Sequence, residues 1–410
     1  MSRLALPVFV VWLIAVCFVP YWIGVEVGVG WSAATIAALA VAAVLLPLRE
    51  IEPGLVDLAV AFVVLAYVFA VVIGDASLSA GVVLITQWCL GYLAGRAIMA
   101  HFRAPTVSLL ITLAVAAVAL LAIVEFMTGT NVFVLWESDN PLYSTWGDVQ
   151  ERGGVSRVEG AFGHSLALGG ALSLAIPFAL SAPLPGWQRA LIALTLLTGV
   201  TLTFSRTAMV CAIVAVLFSV LLQSGVGTRR QRVTFLTGAS VVGVVAFPLI
   251  GRVFEAAGDE ADNSAAYRGE LFSLLPHMQL IGQSPAFQRT PDGKAYFGTF
   301  RSIDSAIILT GLTYGLVPLL LLGAVLFAGV VLLVRGEASA GTVAVVAQIP
   351  ALATVAFITQ YTILFWCVVG AAVTGQQLLR AVPAAAFEPS LRRTAPSLHP
   401  TSRLTKSGTS

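Results

Sequence analysis

Cations cluster in this chain where an anion could be gripped. Arg152, Arg157, Arg206, Arg252, Arg268, Arg289, Lys294 and Arg301 fall in or beside hydrophilic stretches that share one side of a strongly apolar protein. A guanidinium is planar, always charged, and suited to bidentate capture of phosphate oxygens. Four titratable groups keep them company. Glu159 and His164 flank the glycines of Val158-Glu159-Gly160-Ala161-Phe162-Gly163-His164-Ser165, His277 follows Pro276, and Asp304 lies in Arg301-Ser302-Ile303-Asp304-Ser305. A carboxylate or imidazole beside such cations could serve as the general base of a transfer reaction. Each residue also has an ordinary reading. Arg206 would snorkel to headgroups, His164 would mark a helix-start turn, His277 would pack at an interface, Arg268 would solubilise a helix, and Asp304 would cap one or pair with Arg301.

The elements that must position these residues are membrane spans. Apolar residues make up 58% of the chain and charged residues 10%, and mean hydropathy is +0.95. Apolar runs of about 18 residues or more are read as spans, and they fall at 6–24, 31–48, 56–74, 79–95, 106–127, 162–181, 189–204, 207–223, 233–250, 303–318, 319–334 and 343–376. Counting 303–334 once and 343–376 twice predicts an all-α polytopic bundle of about twelve spans, with both termini on one side. The segment 303–334 is either one tilted helix or two broken near Tyr314–Pro318. Arg3, Arg49, Arg96, Arg103, Arg189, Arg229, Arg230, Arg232, Arg335 and Arg380 then face the cytoplasm, as insertion bias requires. The cations of the first paragraph oppose that bias, and their retention suggests an anionic ligand at the outer surface.

Residues 1–380 thus read as a transmembrane domain with external loops at about 128–160 and 251–302, and 381–410 as a disordered cytoplasmic tail rich in Pro, Ser, Thr and Arg. The first loop carries Phe133, Trp136, Tyr143 and Trp146, which suit headgroup anchoring or sugar contact. In the second, a short amphipathic helix is expected, capped by Asn263 or Ser264, with Tyr267, Leu271, Leu274 and Leu275 on its apolar face, a kink or split at Pro276 and an end at Gly282. Cys17, Cys89, Cys211 and Cys367 all lie within predicted spans, which implies no disulfide framework and no zinc site. The external segments carry an excess of acid over these cations, so nothing favours nucleic acid as a partner.

Several of these stretches resemble the O-antigen ligase/polymerase family of membrane glycosyltransferases, over roughly 105–335. Gly160-Ala161-Phe162-Gly163-His164-Ser165-Leu166-Ala167-Leu168 is similar to that family's G-x-F-G-H-P-N-x-L-A signature, with Ser165 and Leu166 replacing Pro and Asn. Leu202-Thr203-Phe204-Ser205-Arg206-Thr207-Ala208 resembles its L-T-x-S-R-x-A motif. Ala122 to Asn131 looks like its span-to-loop junction, and Arg268 with Ile281-Gly282 resembles its large-loop arginine and the element downstream of it.

The resemblance implies a metal-independent, cofactor-free GT-C enzyme of the bacterial cytoplasmic membrane. It would move an undecaprenyl-diphosphate-linked glycan onto a glycan or other acceptor hydroxyl at the outer face. Arg206 and Arg268 would hold the diphosphate. By their own chemistry Arg157 or Arg301 would help them, and the base would be Asp304, Glu159, His164 or His277, in that order. The ligase branch has a large-loop histidine where this chain has Asp304, which leaves polymerisation or ligation to another acceptor open. The rival expectation is a transporter or flippase of anionic lipid-linked glycans. A carrier should line its midplane with charge, and the predicted spans are almost free of it apart from end-placed groups such as Asp57 and Glu125. A structural subunit of an export complex is a third.

Overall fold

Long runs of Leu, Val and Ala offer the backbone no partner but itself, so in lipid they close into helices. The computed structural model describes residues 3–27, 29–46, 51–223, 229–256, 267, 269–290 and 295–381, and it is 72% helix and 5% strand. The principal helices are α1 (Ala5–Phe18), α2 (Ala33–Leu45), α3 (Leu55–Val72), α4 (Leu78–His101), α5 (Ala104–Thr128), α6 (Ser165–Ser181), α7 (Gly186–Leu202), α8 (Arg206–Leu221), α9 (Arg229–Ala256), α10 (Ala306–Tyr314), α11 (Leu316–Val334), α12 (Ala340–Thr354) and α13 (Thr359–Ala381). Among the described residues, α3, α4, α5, α11 and most of α13 are long and apolar enough to cross a membrane. All four cysteines sit in helices and are unbridged.

The core is built around α6 and α13. Nearly every residue of α6 from Ala167 to Leu180 is buried. The α4–α13 seam is closed by glycines, because a side-chain carbon on Gly95 would collide with the Cys367 carbonyl and one on Gly370 with the Tyr92 carbonyl. Small residues that let helix backbones meet are the usual glue of membrane bundles. By contrast only 17% of the α3 window and 11% of the α11 window are buried, which puts these two at the periphery.

Irregularities fall where hydropathy cannot see them. The stretch 303–334 is two helices, broken at Gly315 with φ 101°. Pro318 lies in the first turn of α11, where a missing N–H leaves no bond unmade. Leu84–Cys89 forms a π-helical turn inside α4. Helix α9 continues to Ala256, past the expected start of the second loop.

Three short hairpins join the helices: β1–β2 (Gly24–Val27, Val29–Ser32), β3–β4 (Glu151–Arg152, Val155–Ser156) and β5–β6 (Phe287–Arg289, Ala295–Phe297). In the second loop the described part of the expected amphipathic helix is α-helical at Tyr267, Gly269 and Glu270 and continues as a 3₁₀ segment, Leu271–His277, that ends well before Gly282. Pro276 cannot donate to the ladder, and 3₁₀ runs stay short. Leu271 and Leu274 pack with Phe297 and Ile303 onto Ile308 and Leu312 of α10, while Leu275 is exposed. The expected caps Asn263 and Ser264 lie outside the described residues.

Arg96 departs from its expected place in a cytoplasmic loop. It lies within α4 at 1% exposure, ion-paired to Asp57 at 2.9 Å. It also donates to Thr374, Gln377 and the Glu52 carbonyl, while the Tyr92 hydroxyl donates to Asp57 at 2.7 Å. A buried cation persists only when paired and hydrogen-bonded in this way.

Candidate functional site

Four helices begin at the same end of the bundle, and hydrogen bonds tie their starts together. Thr207, in the first turn of α8, shares a bond with Thr354 at the end of α12 (3.1 Å). The next carbonyl, Val355, accepts from the Ala306 amide that opens α10 at 2.9 Å. Gln360, at the start of α13, donates to the Ala161 carbonyl just ahead of α6 at 2.8 Å. Three of these helices have a local cap. His164 Nδ1 accepts from the Leu166 amide, Ser205 Oγ from Ala208, and Ser305 Oγ from Ile308. No acidic residue sits in the first turn of α6, α8, α10 or α13. A helix start carries about half a positive charge; at α6 the Glu159 carboxyl accepts from the Ser165 amide, and Asp304 lies just ahead of the α10 cap.

Arg206 is the first residue of α8 and is exposed. The turn that presents it is strained: Phe204 has φ 45°, an uncommon conformation for a non-glycine residue. Thr203, Phe204 and Ser205 are all at 1% exposure or less. Two other arginines hold that turn by its carbonyls. Arg157 Nε donates to Thr203 at 2.9 Å and Arg152 Nη1 to Phe204 at 3.0 Å. Arg157 is buried at 7% exposure and also reaches Gln150 Oε1.

Glu159 is buried at 1% and accepts from the Gln150 amide at 3.2 Å. Burial pushes its carboxyl up to about 7, a rise that the Gln150 amide and the Arg157 charge oppose and the Glu125 charge reinforces. His164 is half-buried against Trp146, with ring centres 5.7 Å apart. Burial first, and the Arg157 charge second, hold its imidazole down to about 4.

Asp304 is half-buried and accepts from the Ser302 hydroxyl at 2.8 Å, while its neighbour Ser305 caps α10. Arg301 is exposed beside it, and the Tyr267 hydroxyl donates to the Ser302 carbonyl. His277 is exposed at the end of the 3₁₀ segment, and Arg289 reaches Ser79 at 3.4 Å. Arg268 and Lys294 lie outside the described residues.

Bonded contacts therefore link Glu159 and Arg157 to the Arg206 turn, and that turn through Thr354–Val355 to the Asp304 segment. The sequence reading did not single out Gln150 or Gln360, gave Arg152 no task of its own, and took Glu125 as an end-placed charge within the 122–131 junction. Glu125 accepts from two successive amides, Glu159 at 3.0 Å and Gly160 at 2.9 Å. One signal could have found it, since a carboxylate in the last turn of a helix opposes the helix dipole. Among the described residues no group of three or more His, Cys, Asp or Glu is placed to hold a metal ion. No protein-family model matches the chain, and no curated protein does.

Proposed function

We propose that this protein transfers or polymerises a lipid-diphosphate-linked glycan onto an acceptor hydroxyl at the outer face of a bacterial cytoplasmic membrane, as an O-antigen ligase/polymerase-like glycosyltransferase. In this reading the chain crosses the membrane about twelve times with both termini in the cytoplasm. The helix starts of α6, α8, α10 and α13 then face outward, roofed by the loops at about 128–160 and 251–302.

One observation carries the proposal. Arg206 adds a full charge to the positive pole of α8, on a turn whose carbonyls are held by two further cations, Arg152 and Arg157. A cation at a helix start is the arrangement in which helix starts bind phosphates. The acceptor hydroxyl attacks the anomeric carbon as the bond from that carbon to the lipid diphosphate breaks. The diphosphate leaves with the bonding electron pair, neutralised by Arg206, Arg268 and Arg301. Asp304, half-buried and ahead of α10, takes the hydroxyl proton. Positioned cations in a poorly hydrated site supply most of such an acceleration, and the base adds ~10²–10⁴-fold. Arg157 acts from beneath, by holding the turn that aims Arg206.

The test is the purified protein in liposomes with an undecaprenyl-diphosphate-linked oligosaccharide. A longer glycan or a new linkage is expected, and Arg206→Ala should abolish it while the protein remains in the membrane. Movement of the lipid across the bilayer with no new bond would make the chain a carrier and end this reading. Equal product from Arg206→Ala would end the mechanism.

A further inference from the structure

Glu125 and Phe126 sit together in the last full turn of α5, and each touches a different piece of the Arg206 support. The two Glu125 oxygens take one amide each, Oε1 from Glu159 and Oε2 from Gly160. The Phe126 ring lies against the ring of the strained Phe204, with centres 6.1 Å apart. Between these contacts the chain is stitched onward. The Val158 amide donates to the Leu202 carbonyl at 3.5 Å, and Arg157 holds Thr203. Asn131 closes the other side by donating to the Gly160 carbonyl at 3.2 Å.

We infer that Glu125 is a positioning residue, which fixes the backbone at Glu159–Gly160 and through it the α7–α8 turn that aims Arg206 at the donor diphosphate. The inference rests on the reading given under Proposed function. Its chemistry is specific to a carboxylate. Both N–H groups need an acceptor, and an ionised carboxylate offers acceptors only. A glutamine of the same shape can satisfy one amide but must turn its NH₂ on the other. The location supports a task beyond packing, because a negative charge near the end of a helix opposes the helix dipole. The strain at Phe204 also persists only if its surroundings over-determine it.

The experiment compares wild type with Glu125→Gln as full-length protein in lipid nanodiscs, using two readouts. Amide hydrogen exchange across 157–160 should quicken about tenfold or more in the variant. The Kd for undecaprenyl diphosphate, measured on the folded fraction, should weaken about tenfold at unchanged Tm. A merely structural residue would lower the yield of folded protein without moving that Kd. Unchanged exchange, or an unchanged Kd, overturns the inference alone. A wild-type protein that binds no prenyl diphosphate overturns the functional reading together with it. If Glu125→Gln does not accumulate, Glu125→Asp keeps the charge, shortens the reach and is read by the same criteria.

Discussion

Glu159 shows how one buried side chain can tune a site it does not open onto. With burial pushing its carboxyl up to about 7, it is neutral in mildly acidic solution and ionised in mildly basic solution. When it ionises it places a negative charge beside Arg157 and beneath the turn that presents Arg206, which weakens the field felt by an arriving diphosphate. At a separation on the order of 10 Å and an effective dielectric of about 20, one charge is worth about 1–2 kcal/mol. Donor KM should therefore rise up to about tenfold as pH climbs through 7. Glu159→Gln should keep the low-pH KM at every pH. An identical slope in that variant would remove Glu159 from the account. His164 adds nothing to this slope: held down to about 4, it stays neutral across the range and keeps Nδ1 as the acceptor that caps α6.

At the scale of elements, the boundaries that sequence made legible are those set by composition, and the illegible ones are set by single contacts. Apolar runs located the helices because a membrane demands them. The Ser205-Arg206 and Gly160–His164 motifs landed at helix starts, where their types belong. The break of 303–334 at Gly315 was legible as one of two alternatives, near Tyr314–Pro318, and hydropathy could not choose between them, since a left-handed residue costs a window average nothing. Nor could it show that Arg96 is buried in α4. That cation would look like a loop charge to any windowed measure, and only its partners reveal otherwise: Asp57 from α3, and Thr374 and Gln377 from α13. Those bonds fasten the peripheral α3 to the core. Removing one member of a buried pair strands the other, at about 3–5 kcal/mol, whereas replacing both by apolar residues of similar volume is often neutral. Asp57→Asn should accordingly lower Tm sharply, and Asp57→Leu with Arg96→Met should recover most of it. A double variant as unstable as the single one would show that the pair does more than hold α3.

For the whole molecule, everything proposed depends on which end of the bundle faces outward. The two ends differ in kind. One carries the strained backbone at Phe204 and Thr359 and presents Arg206 at a helix start. At the other, Arg189 satisfies the Leu180 carbonyl at 3.0 Å, and Gln376 reaches the Glu337 carbonyl near Arg335. Short loops rich in Lys and Arg stay in the cytoplasm, so the second end should lie inside. The four native cysteines are buried or half-buried in helices, and a membrane-impermeant maleimide should reach them little in intact cells. Against that background, Thr299→Cys, at an exposed position beside β5–β6, should label from outside. Glu337→Cys, equally exposed beyond α11, should label only after the membrane is opened. The reverse pattern would place Arg206 in the cytoplasm, where an arginine at a helix start is routine. Insertion bias would then account for Arg206 with no ligand, and the external glycan site would fall with it.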